Sequence, residues 1–185
     1  MEVRSWFLNV WKWIDPIYYA FTRLERIQSD SEKNVFRVRL MRYRGKEVHF
    51  PDGSSLKKGD LVLKIHLHNV FILQEMFSLK NELARAKWLY KMVLDSLPGL
   101  CQYVRQHVKS DQIKGIVGIT LLNRGSETLG FQRVPLTHPL FRLYKWMTLL
   151  PIHLLSADKP LRSLNKHHPV YLCMSKKLLE DRYGS

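Results

Sequence analysis

Gly59-Asp60-Leu61-Val62-Leu63-Lys64-Ile65-His66-Leu67-His68-Asn69, with the residues 70–97 that follow it, decides the fold. The odd positions Leu61, Leu63, Ile65 and Leu67 are apolar, and Val62, Lys64, His66 and His68 alternate with them. Period two marks a half-buried strand. Lys57-Lys58-Gly59-Asp60 turns the chain into it. The period then changes. Ile72, Met76, Leu79, Leu83, Ala86, Tyr90, Val93 and Leu97 recur at steps of four and three, one apolar stripe of a long helix. At about 1.5 Å per residue, a helix over 70–97 spans roughly 40 Å, enough to brace a small domain. A central strand feeding a central helix is the expected frame.

The chain on either side fits a single α+β domain, an antiparallel sheet packed against that long central helix. Upstream, Phe36, Val38 and Leu40 alternate with Arg37, Arg39 and Met41, predicting a strand over 35–43 with two arginines on one face. Arg44-Gly45-Lys46 can turn the chain and residues 47–50 can return it as a hairpin. With a second turn at Pro51-Asp52-Gly53, three strands form an expected antiparallel meander. Downstream, Pro98-Gly99 marks a break or kink, and 100–108 is a further helical piece. Strands are expected over 113–122, 129–136 and 170–174. Thr137-His138-Pro139 opens a helix to about Leu149, 157–169 is irregular and basic, and Ser175 caps a last helix over 176–183.

The N-terminal segment, residues 1–27, stands apart from the domain proper, 28–185. Val3, Phe7, Val10, Ile14, Ile17, Phe21 and Leu24 form one stripe, thickened by Trp6, Trp11, Trp13, Tyr18 and Tyr19. Asp15-Pro16 supplies an N-cap and a first helical residue, so two helices are expected, about 4–13 and 16–27. This stripe could pack on the domain. Alternatively, Trp6, Trp11 and Trp13 beside Lys12 could lie in the interface of a membrane.

Lys and Arg number 30 against 16 acids, a net charge of +14. Such an excess favours anionic partners: an anionic membrane surface, an envelope glycan, or nucleic acid. No RNP-type motif, KH loop, zinc finger or helix-turn-helix accompanies it, which weakens the nucleic-acid reading. Cys101 and Cys173 form no CxxC and no secreted framework, which fits a reducing compartment. The N-terminus lacks the form of a signal peptide, and no run of apolar residues is long enough to span a bilayer. The expected location is cytoplasmic, with peripheral attachment to the inner membrane face.

Five residues are candidates for a binding site: His66, His68, Asn69, Arg37 and Arg39. His66, His68 and Asn69 end an otherwise apolar strand where a helix N-terminus begins, a place suited to an anion. His66 and His68, two apart in a strand, share a face and could donate two nitrogens to Zn²⁺, but no sequence rule brings further ligands to them. No metal and no cofactor is expected. GxSxG, HExxH, Walker and GxGxxG motifs are absent, so a hydrolase or transferase using His66 and His68 is only the alternative.

Three phrases carry a resemblance: Gly59–Asn69, Leu129-Gly130-Phe131-Gln132-Arg133-Val134, and Met174-Ser175-Lys176-Lys177-Leu178-Leu179-Glu180-Asp181-Arg182-Tyr183-Gly184. With Asp15-Pro16 and Arg23-Leu24-Glu25-Arg26, they resemble the YkoP-like domain of Bacillus-type bacteria over nearly the whole chain. Similar domains occur C-terminal to some polysaccharide deacetylases. The metal motif of those enzymes lies in their other domain and has no counterpart here. The resemblance therefore implies a link to envelope glycans and carries over no catalytic residue. The function expected is a non-catalytic accessory or binding domain that recognises an anionic surface or a glycan or lipid phosphate.

Overall fold

The computed structural model describes residues 25–27, 34–79, 81–120, 125–136 and 169–184. In chain order these form β1 (Glu25–Arg26), β2 (Phe36–Arg42), β3 (Val48–His49), β4 (Ser55–Leu56), β5 (Leu61–Leu67), α1 (Asn69–Phe77), α2 (Glu82–Gln106), a 3-10 turn (Ser110–Gln112), β6 (Ile113–Thr120), β7 (Gln132–Pro135), β8 (Val170–Ser175) and α3 (Lys176–Tyr183). Six strands make one sheet in the order β1-β2-β5-β6-β8-β7, and β3 and β4 make a separate hairpin. The class is α+β, as the mixed run of elements predicts.

Both faces of the sheet are covered, each by its own core. On one face, Val38, Leu63, Ile65, Ile116 and Met174 pack with Leu97, Leu100, Cys101 and Val104 of α2 and Leu179 of α3. On the other, Val62, Val117, Tyr171 and Cys173 pack with Val48, Phe50 and Leu56 of the small hairpin. This explains why residues 62–65 of β5 are all buried rather than alternating. A strand covered on both sides hides its even positions too.

Several expectations need correction. The meander does not form. β2 pairs directly with β5, Phe36 opposite Leu67 and Arg42 opposite Leu61, while residues 48–49 pair with β4 instead of returning along β2. The sheet is not wholly antiparallel either. β5 and β6 run parallel, because α1 and α2 carry the chain across between them, the crossover that a parallel pair requires. Glu25 and Arg26 belong to a strand rather than to a helix ending at 27. β7 spans Gln132–Pro135, later than the expected start at Leu129, since residues 125–130 form turns. The expected helices over 4–13 and 139–149, the irregular stretch 157–168, and the earlier part of the 16–27 helix lie outside the described residues.

The single helix expected over 70–97 is two helices. Asn81 accepts a 2.8 Å hydrogen bond from the backbone N–H of Ala84, and Glu82 follows it in the first turn. Asn as N-cap with an acid just inside starts a new helix. The apolar stripe therefore changes phase. Ile72 and Met76 are buried, but Leu83 is 64% exposed and Tyr90 is exposed. Of the break or kink expected at Pro98, the break is absent, and α2 runs through it to Gln106. Proline leaves a carbonyl one turn earlier without its intrahelical donor. That carbonyl belongs to Leu94, an exposed residue, so water can satisfy it. Leu97, Leu100, Cys101 and Val104 pin the far half to the sheet. Ser96, buried in α2, accepts a 3.1 Å bond from the N–H of Val35 and ties the helix to the entry of β2.

Candidate functional site

The pairing of β2 with β5 places basic side chains directly opposite one another. Arg37 lies opposite His66, and Arg39 opposite Lys64. Facing residues of an antiparallel pair share a side of the sheet, as do residues two apart on one strand. Arg37, Arg39, Lys64 and His66 therefore stand as a ladder on one face. Their Cβ atoms bound a patch of about 5 Å by 7 Å. Arg37 is only 5% exposed and Lys64 8%, while Arg39 and His66 are half-buried. Each of the four has interactions within the chain.

The ladder shares its face with the hairpin-side core. One register row runs Arg39, Lys64, Val117, Cys173, Gln132 across five strands. The next runs Met41, Val62, Gly115, Ser175. The β3–β4 hairpin covers the part of the face where β5 begins, and the ladder occupies the part where β5 ends. Beside the ladder lies an apolar floor whose titratable groups are held neutral. Burial, then the neighbouring Cys173, pushes the Tyr43 hydroxyl far above its ordinary value. Burial pushes the Cys173 thiol up to about 12, against a contact with Tyr43. Burial and then Cys173 raise Tyr171, with Arg44 opposing. At neutral pH these three neither give nor take a proton. The patch sets three basic side chains and an imidazole, each with interactions inside the chain, beside an apolar bed.

Of the residues expected at a site, the structure brings Arg37, Arg39 and His66 together. His68 departs from them. The strand ends at Leu67, so alternation no longer governs the next residue. The His68 N–H donates to Val35 O at 2.8 Å, and its ring stacks on Phe71, with centroids 6.1 Å apart. Phe71 in turn leans on Trp88, against the helix-side core. His68 is thus tied to the aromatic side chains of α1 and α2, while His66 sits opposite Arg37. Asn69 is the first residue of α1, and His68, the N-cap, makes no side-chain capping bond. Among the described residues, no three His, Cys, Asp or Glu side chains lie together as metal ligands. Trp6, Trp11, Trp13 and Lys12 lie outside the described residues.

Sequence reasoning missed Lys64. It read as the solvent side of an amphipathic strand, whereas the register makes it the fourth member of the ladder and burial encloses it. The signal was present: an even position of β5 between Val62 and His66, facing the Arg-x-Arg of β2 once the two strands are paired.

A second polar cluster lies where the hairpin meets α3. Asp52 accepts a hydrogen bond from the Ser175 hydroxyl at one oxygen, and from Ser54 N (2.8 Å) and Oγ (2.5 Å) at the other. Ser175 also accepts from Leu178 N at 2.9 Å, the N-cap bond of α3. Burial pushes the Asp52 carboxyl up, but the bonds from Ser175 and Ser54, with Lys177 nearby, outweigh it and leave it below the ordinary aspartate value. This cluster is a strut, with its serine committed on both sides.

The YkoP domain model matches residues 4–183. The chain belongs to the YkoP family. It is 39% identical over 181 residues to a protein of Bacillus subtilis (strain 168) named "Uncharacterized protein YkoP", covering 98% of each chain. No solved structure matches it. The three phrases quoted from the sequence map onto distinct parts of this YkoP fold: the central strand, the turn leading into β7, and the end of β8 with α3.

Proposed function

We propose that this YkoP protein is a non-catalytic binding domain that recognises phosphate groups borne by an envelope lipid or glycan. The observation that carries this reading is the Arg37–His66 and Arg39–Lys64 ladder. Like charges directly opposite one another destabilise a sheet. The register gathers three basic side chains, each with interactions inside the chain, at one place on the sheet, a concentration of donors suited to an anion. Arginine matches phosphate oxygens with a planar fork of donors, and lysine adds a point charge.

The net charge of +14 supports the same reading, because it draws anions toward the molecule at long range. The neutral tyrosines and cysteine of the adjoining floor favour binding over catalysis. The envelope rests on the family resemblance. Among the described residues, no helix is long and apolar enough to cross a membrane. Peripheral attachment through the N-terminal tryptophans remains part of this proposal, with its own test by removal of residues 1–13 followed by vesicle co-sedimentation.

The test of the ligand is equilibrium binding of the full chain to phosphorylated glycan fragments, to vesicles of anionic lipid and to nucleic acid, repeated with Arg39→Gln. Arg39 is half-buried rather than enclosed, so this change should leave the fold intact. Binding of a phosphate-bearing glycan or lipid that weakens about tenfold in the variant supports the proposal. Equal binding by both proteins, or tight binding of nucleic acid alone, overturns it.

A further inference from the structure

The end of the sheet where β5 and β6 begin carries a separate and exposed concentration of charge. β2 and β8 finish there, since each runs antiparallel to its neighbour, with Arg42 opposite Leu61 and Ser175 opposite Gly115. Three segments meet at this end. Tyr43 N donates to Asp60 O at 2.8 Å and Gly59 N to Tyr43 O at 2.9 Å, tying residues 42–46 to the turn at 57–60. The 3-10 turn after α2 leads into Ile113, which pairs with Leu61. Lys176 Nζ donates to Ser110 O at 2.9 Å and joins the start of α3 to that turn. The fold thus braces all three. At about 4.8 Å between strands, the end spans roughly 10 Å from β2 to β6.

Arg44, Lys46, Lys58, Lys109 and Lys114 are all exposed on it, and none makes an ion pair among the described residues. The neighbouring acids are mostly committed. Glu47 pairs with Lys57 at 3.5 Å, and Asp60 accepts from Lys57 N at 2.7 Å. Asp111 is exposed and offsets one of the charges. Val108 stands at the same end, between His107 and Lys109, and is 99% exposed. One exposed apolar residue is ordinary by itself. Set among cations, it has the form of a membrane contact, in which an apolar side chain enters the lipid boundary while basic neighbours meet the headgroups. Nucleic acid fits less well. Its bases would need exposed aromatic rings to stack on, but Tyr43 is buried and Tyr103 is tied to Glu25.

We infer that this end of the domain docks on an anionic bilayer, with Val108 at the interface and the exposed cations over the headgroups. The surface is separate from the β2–β5 ladder and from the N-terminal tryptophans, and the inference rests on neither. Each basic residue close to an anionic surface strengthens attachment about fivefold.

Co-sedimentation of the full chain at physiological salt, with phosphatidylcholine vesicles that contain or lack phosphatidylglycerol, tests it. Retention is expected on the anionic vesicles only. Lys46→Glu combined with Lys58→Glu should weaken it at least about tenfold. Both positions are exposed, so the fold should persist, which circular dichroism checks. Val108→Cys provides a single accessible thiol for an environment-sensitive fluorophore, because Cys101 and Cys173 are buried. Its emission should shift to the blue on anionic vesicles and stay unchanged on phosphatidylcholine alone. Retention without that shift, or equal retention of the charge-reversed protein, overturns the inference and moves any attachment to the tryptophans or the ladder. No retention on either vesicle overturns it too. So does an oligonucleotide that binds in preference to the vesicles and is released by the charge reversal. Phosphate recognition by the ladder is read from Arg39→Gln and stands or falls separately.

Discussion

Replacing Ser175 with alanine should destabilise the protein in two separable ways. The first is loss of the α3 N-cap, the 2.9 Å bond from Leu178 N, worth about 1 kcal/mol. The second is loss of the hydrogen bond donated to Asp52. A bond to a charged acceptor contributes about 1.5–3 kcal/mol, but Asp52 is half-buried and keeps its two bonds from Ser54, so about 1 kcal/mol is the share expected here. The sum is roughly 2 kcal/mol. For a chain of this size it should lower the thermal midpoint by about 4–8 °C. Asp52→Asn isolates the second part, and a double-mutant cycle should return a coupling near 1 kcal/mol. The pH dependence separates the parts independently. The folded carboxyl of Asp52 lies below its ordinary value, so its contribution is complete above the unfolded value and is lost as pH falls through the folded one. The penalty of Ser175→Ala should thus be constant from pH 7 to pH 5 and shrink toward the capping share below about pH 4. Urea unfolding followed by circular dichroism at several pH values measures it. A penalty under about 0.5 kcal/mol, or one that does not change below pH 4, would refute the strut.

Three further outcomes follow from the packing. Tyr43→Phe should be neutral or slightly stabilising, within about 1 kcal/mol, because the buried hydroxyl has no oxygen or nitrogen partner among the described residues and meets the Cys173 thiol; urea midpoints decide it. Gly115→Ala should cost about 1–3 kcal/mol by the same measurement, since an added Cβ would lie 2.4 Å from the Met174 carbonyl oxygen in the middle of the sheet. Cys101 and Cys173 should resist alkylation in the native protein at pH 8 and react on unfolding, as burial raises both thiols and hides them, and rapid native labelling counted by mass spectrometry would contradict the packing.

What the sequence discloses here depends on how far each signal reaches along the chain. Local rules located β2, β5, β8 and α3, and the Ser175 cap falls where serine before a polar helical run places it. Failures occur where a local pattern met a longer-range cause. The apolar steps from Ile72 to Leu97 read as one helix because periodicity counts apolar residues and ignores caps. The Asn81-Glu82 start was legible and outweighs the stripe. Pro98 read as a break because local chemistry disfavours it, but tertiary burial of Leu97 and Leu100 overrides that preference. Strand order is a pairing property that no single segment contains. For that reason the meander was wrong and the parallel β5–β6 pair was unforeseen. The site shows the same division. Arg-x-Arg on β2 and Lys-x-His on β5 are each ordinary polar alternations, and either alone describes a solvated strand face. Only the register, Arg37 on His66 and Arg39 on Lys64, turns two unremarkable strands into one concentrated patch of charge. Burial then gives that patch a cost that ordinary surface charge does not carry.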